Sequence, residues 1–464
     1  MIYQNEDQLK RGCESILACQ EGDVRVLDES SFKEKLIDDL IYTAVFSPDP
    51  AIQEAAAFLI RRGAASMGIL PASIQSLYEA MGRKEVSGFT VPAINIRGIT
   101  YHVAQAVFRA AMKGNVGPVI FEIARSEIGY TKQRPQEYTC NVLAAAVKSG
   151  WSGPVFLQGD HFQINAKKFA ADEEKETQSV KDLIREAIQA GFYNIDIDTS
   201  TLVDLSWPTI KDQQRLNYTL AAELTALIRD LEPKGITVSV GGEIGEVGGK
   251  NSTVEELQTF MDGYLEELKK RGPALKGISK ISVQTGTTHG GVPLADGTVA
   301  KVKIDFEVLE KLSETARAEY GLSGAVQHGA STLPDEAFDR FPATGTAEIH
   351  LATGFQNIIY DSRSFPGQLR SKIYDHLRGE LKGEWKEKDT EEQFIYKTRK
   401  KGFGPFKPEL WQLPTDVRDE ICAELEGKFA FLFDKLMVMG TRPVLDQFIK
   451  PADVPLEMPK MLKG

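Results

Sequence analysis

Eight short apolar runs alternate with amphipathic helical stretches between Phe89 and Leu351, and this alternation limits the chain to a few folds. Strands that alternate with helices form parallel βαβ units. Eight such units in about 270 residues have the size of a (β/α)8 barrel. We therefore predict an α/β protein built on a TIM barrel, with a doubly wound open sheet as the alternative. The predicted strands are Phe89–Ile96, Pro118–Ile123, Pro154–Leu157, Asn194–Ile197, Ile236–Val240, Ile278–Val283, Gly324–Val326 and Thr346–Leu351.

The chain is longer than this repeat at both ends, which predicts three segments. Residues 1–87 have helical patterning and no strand pattern, so they are predicted to form a helical N-terminal extension. Residues 88–365 contain the predicted barrel, and residues 366–464 form a charged, helical C-terminal extension.

Composition excludes several classes of function. The net charge of −11 argues against a general nucleic-acid binder, because phosphate backbones require a basic surface. No apolar run reaches the roughly 18–20 residues of a membrane span. The polar start MIYQNEDQLK is unlike a secretory signal, and four cysteines without a CxxC pair indicate reduced thiols. A cytoplasmic protein without membrane or nucleic-acid partners is expected.

Three of the six histidines follow predicted strands. The third, sixth and seventh runs end in Gly159-Asp160-His161, Thr288-His289-Gly290 and Gln327-His328-Gly329. A barrel carries its active groups at the carboxyl ends of its strands, and three imidazoles with an open position describe a catalytic zinc site. A hydrogen-bonded structural role is the alternative for each histidine taken alone. His102 and His376 lie on predicted helices and are interpreted as packing or surface residues.

Other polar residues are predicted at the same end of the barrel. Asp160 is a candidate general acid or base, although neighbours on a strand point to opposite sides, so it is not expected to share the ion with His161. Asp198 and Glu243 are expected to form a second metal position, to hydrogen-bond the histidines or to satisfy buried backbone groups at the mouth. The loops after the last two strands are predicted to bind phosphate, as such barrel loops often do. Neither GxGxxG after a strand nor GxxxxGK[ST] occurs.

The order of motifs resembles one family specifically. The motifs are VPAINI from Val91, GDH, IDTS, GEIGEVGG, TGTTHGG, QHGAS and AEIHLATG, and together they resemble the class II, metal-dependent fructose-bisphosphate and tagatose-bisphosphate aldolases. The resemblance implies one zinc ion per chain, with a second divalent or monovalent cation as an open alternative. The implied zinc ligands are His161, His289 and His328. The implied reaction is the reversible aldol cleavage of a ketose bisphosphate through an enediolate of dihydroxyacetone phosphate.

The resemblance also implies roles for further residues. Asp160 matches the residue that exchanges a proton with the C4 hydroxyl, and Asp198 and Glu243 match acids near the metal. The loops that bind phosphate and a monovalent cation are matched by Gly290, Gly329, Ser331 and Thr353. Asn95 and Ser126 fall near substrate-contacting positions. In the basic segment Lys397–Lys401, Arg399 is expected to contact a phosphate, within the chain or across a subunit boundary.

Three departures from the family pattern bear on the substrate. Phe162 replaces the glycine after the strand 3 histidine. Lys250-Asn251-Ser252 stand where the family often carries acids, one of which removes the carbon-bound proton. His350 replaces a substrate-contacting asparagine. The histidines that the resemblance implies as metal ligands are unchanged, so we expect the family chemistry on a phosphorylated ketose whose identity the sequence leaves open.

The leading prediction is a metal-dependent aldehyde-lyase that forms a homodimer or homotetramer. Two alternatives remain: a noncatalytic aldolase-like barrel that supports a partner enzyme, and a zinc hydrolase in which a metal-bound hydroxide is the nucleophile. The sequence does not distinguish the aldehyde product or the base that removes the carbon-bound proton.

Overall fold

The computed structural model describes residues 1–20, 22–245, 250–286, 294 and 304–463. Its N-terminal extension is mostly helical, as predicted, and also contains three short strands that the sequence pattern did not predict. The strands are β1 (Leu17–Gln20), β2 (Asp23–Val26) and β3 (Ile69–Ala72); the helices up to the barrel are α1 (Glu6–Cys13), α2 (Glu29–Ser31), α3 (Ile37–Phe46), α4 (Pro50–Ser66) and α5 (Gln75–Gly82), with a π-helical turn at Phe32–Leu36.

These three strands escape a pattern search because each has only four residues. β1 and β2 form an antiparallel hairpin, while β3 pairs in parallel with the first part of a barrel strand, Gly153 to Phe156. The extension is therefore joined to the barrel by backbone hydrogen bonds as well as by packing.

Eight parallel strands close into a barrel, which confirms the predicted fold. Hydrogen bonding runs from β6 through β5, β4, β11, β10, β9, β8 and β7, and β7 pairs again with β6. The closing pair excludes an open sheet. The strands are β4 (Val91–Asn95), β5 (Ile120–Ala124), β6 (Gly153–Gln163), β7 (Asn194–Asp198), β8 (Ser239–Gly245), β9 (Lys280–Val283), β10 (Ala325–Gln327) and β11 (Glu348–Leu351).

Helices surround the barrel and have the expected start and stop signals. The side chain of Asp172 accepts a hydrogen bond from the first turn of the following helix, and Gly191 ends that helix with a φ of 100°. The helices are α6 (Thr100–Lys113), α7 (Arg125–Thr131), α8 (Pro135–Ser149), α9 (Ala166–Ala171), α10 (Glu173–Ala190), α11 (Ile210–Gln213), α12 (Arg215–Leu231), α13 (Val254–Arg271), α14 (Phe306–Tyr320), α15 (Arg340–Ala343) and α16 (Thr353–Asp361).

The C-terminal extension is helical and packs against the barrel. Its longest helix contacts α6, and buried apolar residues form one core cluster that extends from Tyr3 to Met458. The boundaries of the three segments stay a prediction. The helices are α17 (Gly367–Glu380), α18 (Glu391–Thr398), α19 (Lys407–Trp411), α20 (Thr415–Lys435) and α21 (Arg442–Phe448). Within the described part of the chain, no helix has the length and apolar composition to cross a membrane.

One irregular strand decides the geometry of the barrel mouth. The register between β6 and β7 shifts between Gly159 and Phe162, which marks a β-bulge. His161 lies in the bulge with a φ of 41°, a left-handed conformation that is uncommon for a residue with a side chain. Phe162 is fully buried, and its ring packs where a Cβ on Gly159 would lie.

Candidate metal centre and substrate cavity

A cavity of about 280 Å³ opens at the carboxyl ends of the barrel strands. The structure brings nine of the predicted site residues together around it: Asn95, Ser126, Asp160, His161, His328, Gly329, Ser331, His350 and Thr353. Asp198 and Glu243 lie behind His161. The predicted His289 and Gly290 fall outside the described residues.

The β-bulge turns Asp160 and His161 towards the same point, although they are neighbours on one strand. Asp160 Oδ1 lies 3.8 Å from His161 Nε2 and 3.9 Å from His328 Nδ1. The expectation that strand alternation separates Asp160 from His161 is wrong, because the bulge interrupts that alternation. The three side chains form a group whose possible ligand atoms all lie within 4.8 Å of one another.

Two carboxylates orient His161 from behind. Its Nδ1 lies 3.1 Å from Asp198 Oδ2 and 3.0 Å from Glu243 Oε2, so its Nε2 is the nitrogen that faces Asp160. Burial lowers the pKa of His161, but Asp160 and Glu243 outweigh this and raise the pKa well above its usual value. Burial together with Asp198 raises the pKa of Glu243 to about 7. Burial raises the pKa of Asp198, but the His161 hydrogen bond and charge hold it below its usual value.

His328 is oriented in the same way by a hydroxyl group. Its Nε2 lies 3.0 Å from Ser282 Oγ on β9, which leaves Nδ1 on the side of Asp160. The rings of His161 and His328 are 4.2 Å apart. Metal-binding histidines usually have one ring nitrogen held by a carboxylate, carbonyl or other polar group.

This arrangement fits a divalent cation. Zinc binds histidine nitrogen at about 2.0–2.1 Å, so tetrahedral ligand atoms lie about 3.4 Å apart. The separations around Asp160 need only a small adjustment to reach that value. His161 and His328 are therefore residues that could hold the ion, and their second nitrogens already have partners.

Below these residues lies a buried charged layer that the sequence analysis missed. Lys280 Nζ is 2.9 Å from Asp196 Oδ1, 2.5 Å from Glu348 Oε1 and 2.9 Å from Gln158 Oε1. Tyr78 of α5 donates a hydrogen bond to Glu348 from the other side. The carboxylates raise the pKa of Lys280 although burial lowers it. In the sequence, the charged residues inside otherwise apolar strands were the signal that could have indicated this layer.

His350 connects this layer to the cavity. Its Nδ1 lies 2.8 Å from Glu122 Oε2 and its Nε2 2.7 Å from Glu348 Oε1. Its ring is 4.0 Å from that of His328. Burial lowers its pKa, but Glu122 and the neighbouring carboxylates raise the pKa well above its usual value.

The basic segment of the C-terminal extension reaches the cavity through Lys400, not through the predicted Arg399. Arg399 is buried and pairs with Asp361 at 2.6 Å. Lys397 and Lys401 are also ion-paired, with Asp389 and Glu384 respectively. Lys400 lines the cavity, and no carboxylate of the described residues lies within 4 Å of its ammonium group. Burial and the Arg97 charge lower the pKa of Lys400.

The predicted phosphate loops form another wall. Gly329 has a φ of 68° and begins the 3-10 turn Ala330–Thr332, which carries Ser331. Thr353 is the first residue of α16, whose N-terminal N–H groups favour an anion. A Cβ on Gly354 would lie 2.7 Å from the carbonyl oxygen of Ser331. Glycine therefore permits the two loops to pack closely.

An ion pair between Arg97 and Glu127 forms part of the remaining wall of the cavity. Arg97 Nε donates to Glu127 Oε1 at 2.7 Å, and Asn95 Nδ2 donates to the other Glu127 oxygen at 2.6 Å. Ser126 lines the cavity beside Glu127. Lys250, in the segment that replaces the family's acids, is exposed and does not line the cavity.

The fold and this site define a (β/α)8 barrel with a histidine–carboxylate centre at its mouth. The family model described as fructose-bisphosphate aldolase class-II matches residues 75–400. The chain belongs to that family, which confirms the resemblance read from its motifs.

Several solved structures are similar to this chain at low sequence identity. Fructuronate-tagaturonate epimerase UxaE from Cohnella laeviribosi is 12% identical with a TM-score of 0.56, covering 91% of this chain and 89% of that one. A probable tagatose 6 phosphate kinase from Sinorhizobium meliloti 1021 is 18% identical with a TM-score of 0.54, covering 80% and 96%. A fructose-bisphosphate aldolase from Campylobacter jejuni is 16% identical with a TM-score of 0.47, covering 80% and 95%.

Proposed function

We propose that the protein is a zinc-dependent class II aldolase that cleaves and forms a ketose phosphate. The observation that carries the proposal is the convergence of His161 Nε2, His328 Nδ1 and Asp160 Oδ1 on one point of the cavity. His161, His328 and the undescribed His289 would hold the ion. When bound, the ion would act as a Lewis acid towards a substrate oxygen.

Asp160 is proposed to move the proton of the reacting hydroxyl group. In the cleavage direction, its carboxylate accepts that proton while the carbon–carbon bond breaks, and in the forming direction it returns the proton. The buried position of Asp160 beside two histidines supports this role. Positioned proton transfer of this kind contributes about 10²–10⁴-fold to a rate.

An anionic group of the substrate is proposed to bind opposite the histidines. Lys400 and Arg97 supply positive charge, and the Ser331 turn and the start of α16 supply hydroxyl and N–H donors. A phosphate oxygen can accept several such hydrogen bonds at once.

The test combines zinc content with product analysis. Purified chain is incubated with a panel of ketose mono- and bisphosphates, and the aldehyde and ketone fragments are quantified. We expect cleavage that a chelator abolishes and zinc restores. Asp160→Asn should lower the rate by about 10²–10⁴-fold and retain the histidine-bound zinc, whereas the exposed control Asp182→Asn should behave like wild type. Full activity of zinc-free protein contradicts the proposal, as does near-normal turnover by Asp160→Asn.

A second candidate is an epimerase that uses the same centre on a keto-sugar acid. Glu122 on β5 lines the cavity, whereas Glu243 on β8 contacts His161 Nδ1 from a separate strand. Glu122 would exchange a proton with the substrate carbon that inverts. Lys400 is as suitable for a carboxylate as for a phosphate, so the cavity does not require a phosphorylated substrate.

Incubation with fructuronate and tagaturonate, the substrates in the name of the Cohnella enzyme, separates the two candidates. NMR spectroscopy distinguishes inversion of one hydroxyl carbon from the appearance of two fragments. Inversion without fragments favours the epimerase. Inactivity of the zinc-loaded chain on both panels favours the noncatalytic barrel, and release of an acid or phosphate favours the hydrolase.

A further inference from the structure

A second group of possible ligands lies next to the histidine centre. Glu122 on β5, Asp160 on β6 and His350 on β11 offer ligand atoms that all lie within 4.8 Å of one another. Their side chains are nearly inaccessible to solvent, at 0%, 9% and 4% exposure respectively. Nδ1 of His350 is 2.8 Å from Glu122 Oε2 and 3.3 Å from Asp160 Oδ1.

Polar atoms in this group lack hydrogen bonds despite their short contacts. Neither ring nitrogen of His350 makes a hydrogen bond of acceptable angle to any described residue, and Glu122 Oε1 has no partner there either. A buried polar atom without a partner is unfavourable. These atoms approach one another closely, but not at the angles of hydrogen bonds. Ligand atoms around a common metal ion have the same arrangement.

Several carboxylates of the buried layer also lie beside this group. In the described part of the barrel interior, one ammonium group, that of Lys280, lies among four carboxylates, those of Glu122, Asp160, Asp196 and Glu348. Lys280 contacts Asp196 and Glu348 directly, and His350 lies between Glu122 and Glu348. A cation bound beside Glu122 would offset the cost of burying its carboxylate.

We propose that Glu122, Asp160 and His350 bind a second divalent cation, adjacent to the ion of the histidine centre. Two oxygen ligands and one imidazole suit zinc or manganese. Asp160 would be shared by both positions, as carboxylates are in two-metal centres with ions about 3.5–4 Å apart. This position differs from the one considered at Asp198 and Glu243, whose carboxylates face the other nitrogen of His161.

The second cation has a consequence for Asp160. Positive charge beside Oδ1 favours the ionised carboxylate, so Asp160 is ready to accept a proton in the direction of cleavage. The cation-binding proposal itself does not depend on the aldolase proposal, because its test measures bound metal and not turnover.

Metal stoichiometry tests the proposal. The full-length chain is stripped of metal, reloaded with Mn²⁺ or Zn²⁺, separated from free ions and measured by elemental mass spectrometry. We expect about two ions per chain in the wild type and about one in His350→Asn, which carries the family's asparagine. The isosteric Glu122→Gln should also bind about one. The control His376→Asn, on α17, should keep two.

Electron paramagnetic resonance of the Mn²⁺-loaded protein provides a second readout. Two ions that share Asp160 should give an exchange-coupled spectrum, and His350→Asn should give the spectrum of an isolated ion. Wild type that saturates at one ion overturns the proposal, and so do two ions retained by both variants. If His350→Asn does not fold, Glu122→Gln decides; if neither folds, anomalous scattering from wild-type crystals must show an ion between Glu122 and His350, and its absence overturns the proposal.

Discussion

Two largely enclosed histidines in this protein have opposite electrostatic environments. His102 on α6 lies among aromatic rings, with Tyr101 at 5.0 Å and Trp411 at 5.5 Å between ring centres. Burial and the charge of Arg418 hold its pKa well below its usual value. His161 is also largely enclosed, with 16% of its side chain exposed, yet carboxylates raise its pKa well above that value. Burial alone therefore does not decide the charge of a histidine; the neighbouring groups do.

The difference follows from what each region does in the fold. His102 lies where α6 meets the N-terminal extension through Tyr42 and the C-terminal extension through Trp411, so a neutral ring serves packing. His161 lies inside the barrel mouth, where six buried or nearly buried carboxylates converge: Glu122, Asp160, Asp196, Asp198, Glu243 and Glu348. Such a concentration of negative charge is suited to cations.

The strongest test of the contrast removes one cation-facing imidazole. His328→Ala should lose the zinc of the histidine centre and all measurable cleavage activity, because that centre loses a nitrogen ligand. Elemental analysis and the cleavage assay measure the two losses. His102→Ala, at the aromatic junction, should keep the zinc even if its stability falls. Retention of full zinc content by His328→Ala would refute the assignment.

Removal of the Lys280 charge, which lies beneath the histidine centre, should have the next largest effect. Lys280→Met leaves buried Asp196 and Glu348 without their ammonium partner, and we expect a loss of about 3–5 kcal/mol in the free energy of unfolding. Urea denaturation measures it. The control Lys276→Met removes an exposed pair with Glu79, for which at most about 1 kcal/mol is expected. Equal losses of unfolding free energy in the two variants would mean that Lys280 stabilises the buried layer no more than an exposed ion pair does.

A smaller effect is expected when the orientation of His161 is loosened. Asp198→Asn replaces a carboxylate 3.1 Å from Nδ1 by an amide, and zinc affinity should fall about 10–100-fold, as for other groups that orient metal-binding histidines. Competition with a chromophoric chelator measures the affinity. Asp204→Asn, at an exposed position, is the matched control. An unchanged affinity in Asp198→Asn would show that this carboxylate does not support the ligand.

The smallest predicted effect concerns His102 and pH. Because the folded-state pKa lies below the unfolded value of about 6.5, the unfolded chain binds more protons as the pH falls below that value. The contribution of His102 to stability is thus intact above pH 6.5 and is lost progressively as the pH falls below that value.

His102→Phe should remove this part of the pH dependence while it preserves aromatic packing. Denaturation curves of the metal-free protein between pH 5.5 and 7.5 measure the difference between the variant and the wild type. Identical pH dependence in both would show that His102 is protonated as readily in the folded chain as in the unfolded one.

The strand positions could be predicted because each barrel strand is a short apolar run bounded by polar residues. For the same reason His161 and His328 could be placed at the mouth. The short strands of the N-terminal extension could not, because four residues such as Asp23–Val26 carry too little pattern. The sequence also could not show that Lys400, and not Arg399, reaches the cavity. Neighbouring basic residues have the same charge, and only the fold decides which of them points towards the cavity.

The sequence by itself determined the parallel barrel and the residues at its carboxyl end, since both follow from local patterns and from the order of motifs along the chain. The tertiary structure decided which of those residues meet. The β-bulge turned Asp160 towards His161, and closure of the barrel brought Glu122, Lys280 and Glu348 to the same buried layer as His350. Contacts between strands distant in sequence depend on register and closure, which no local pattern specifies.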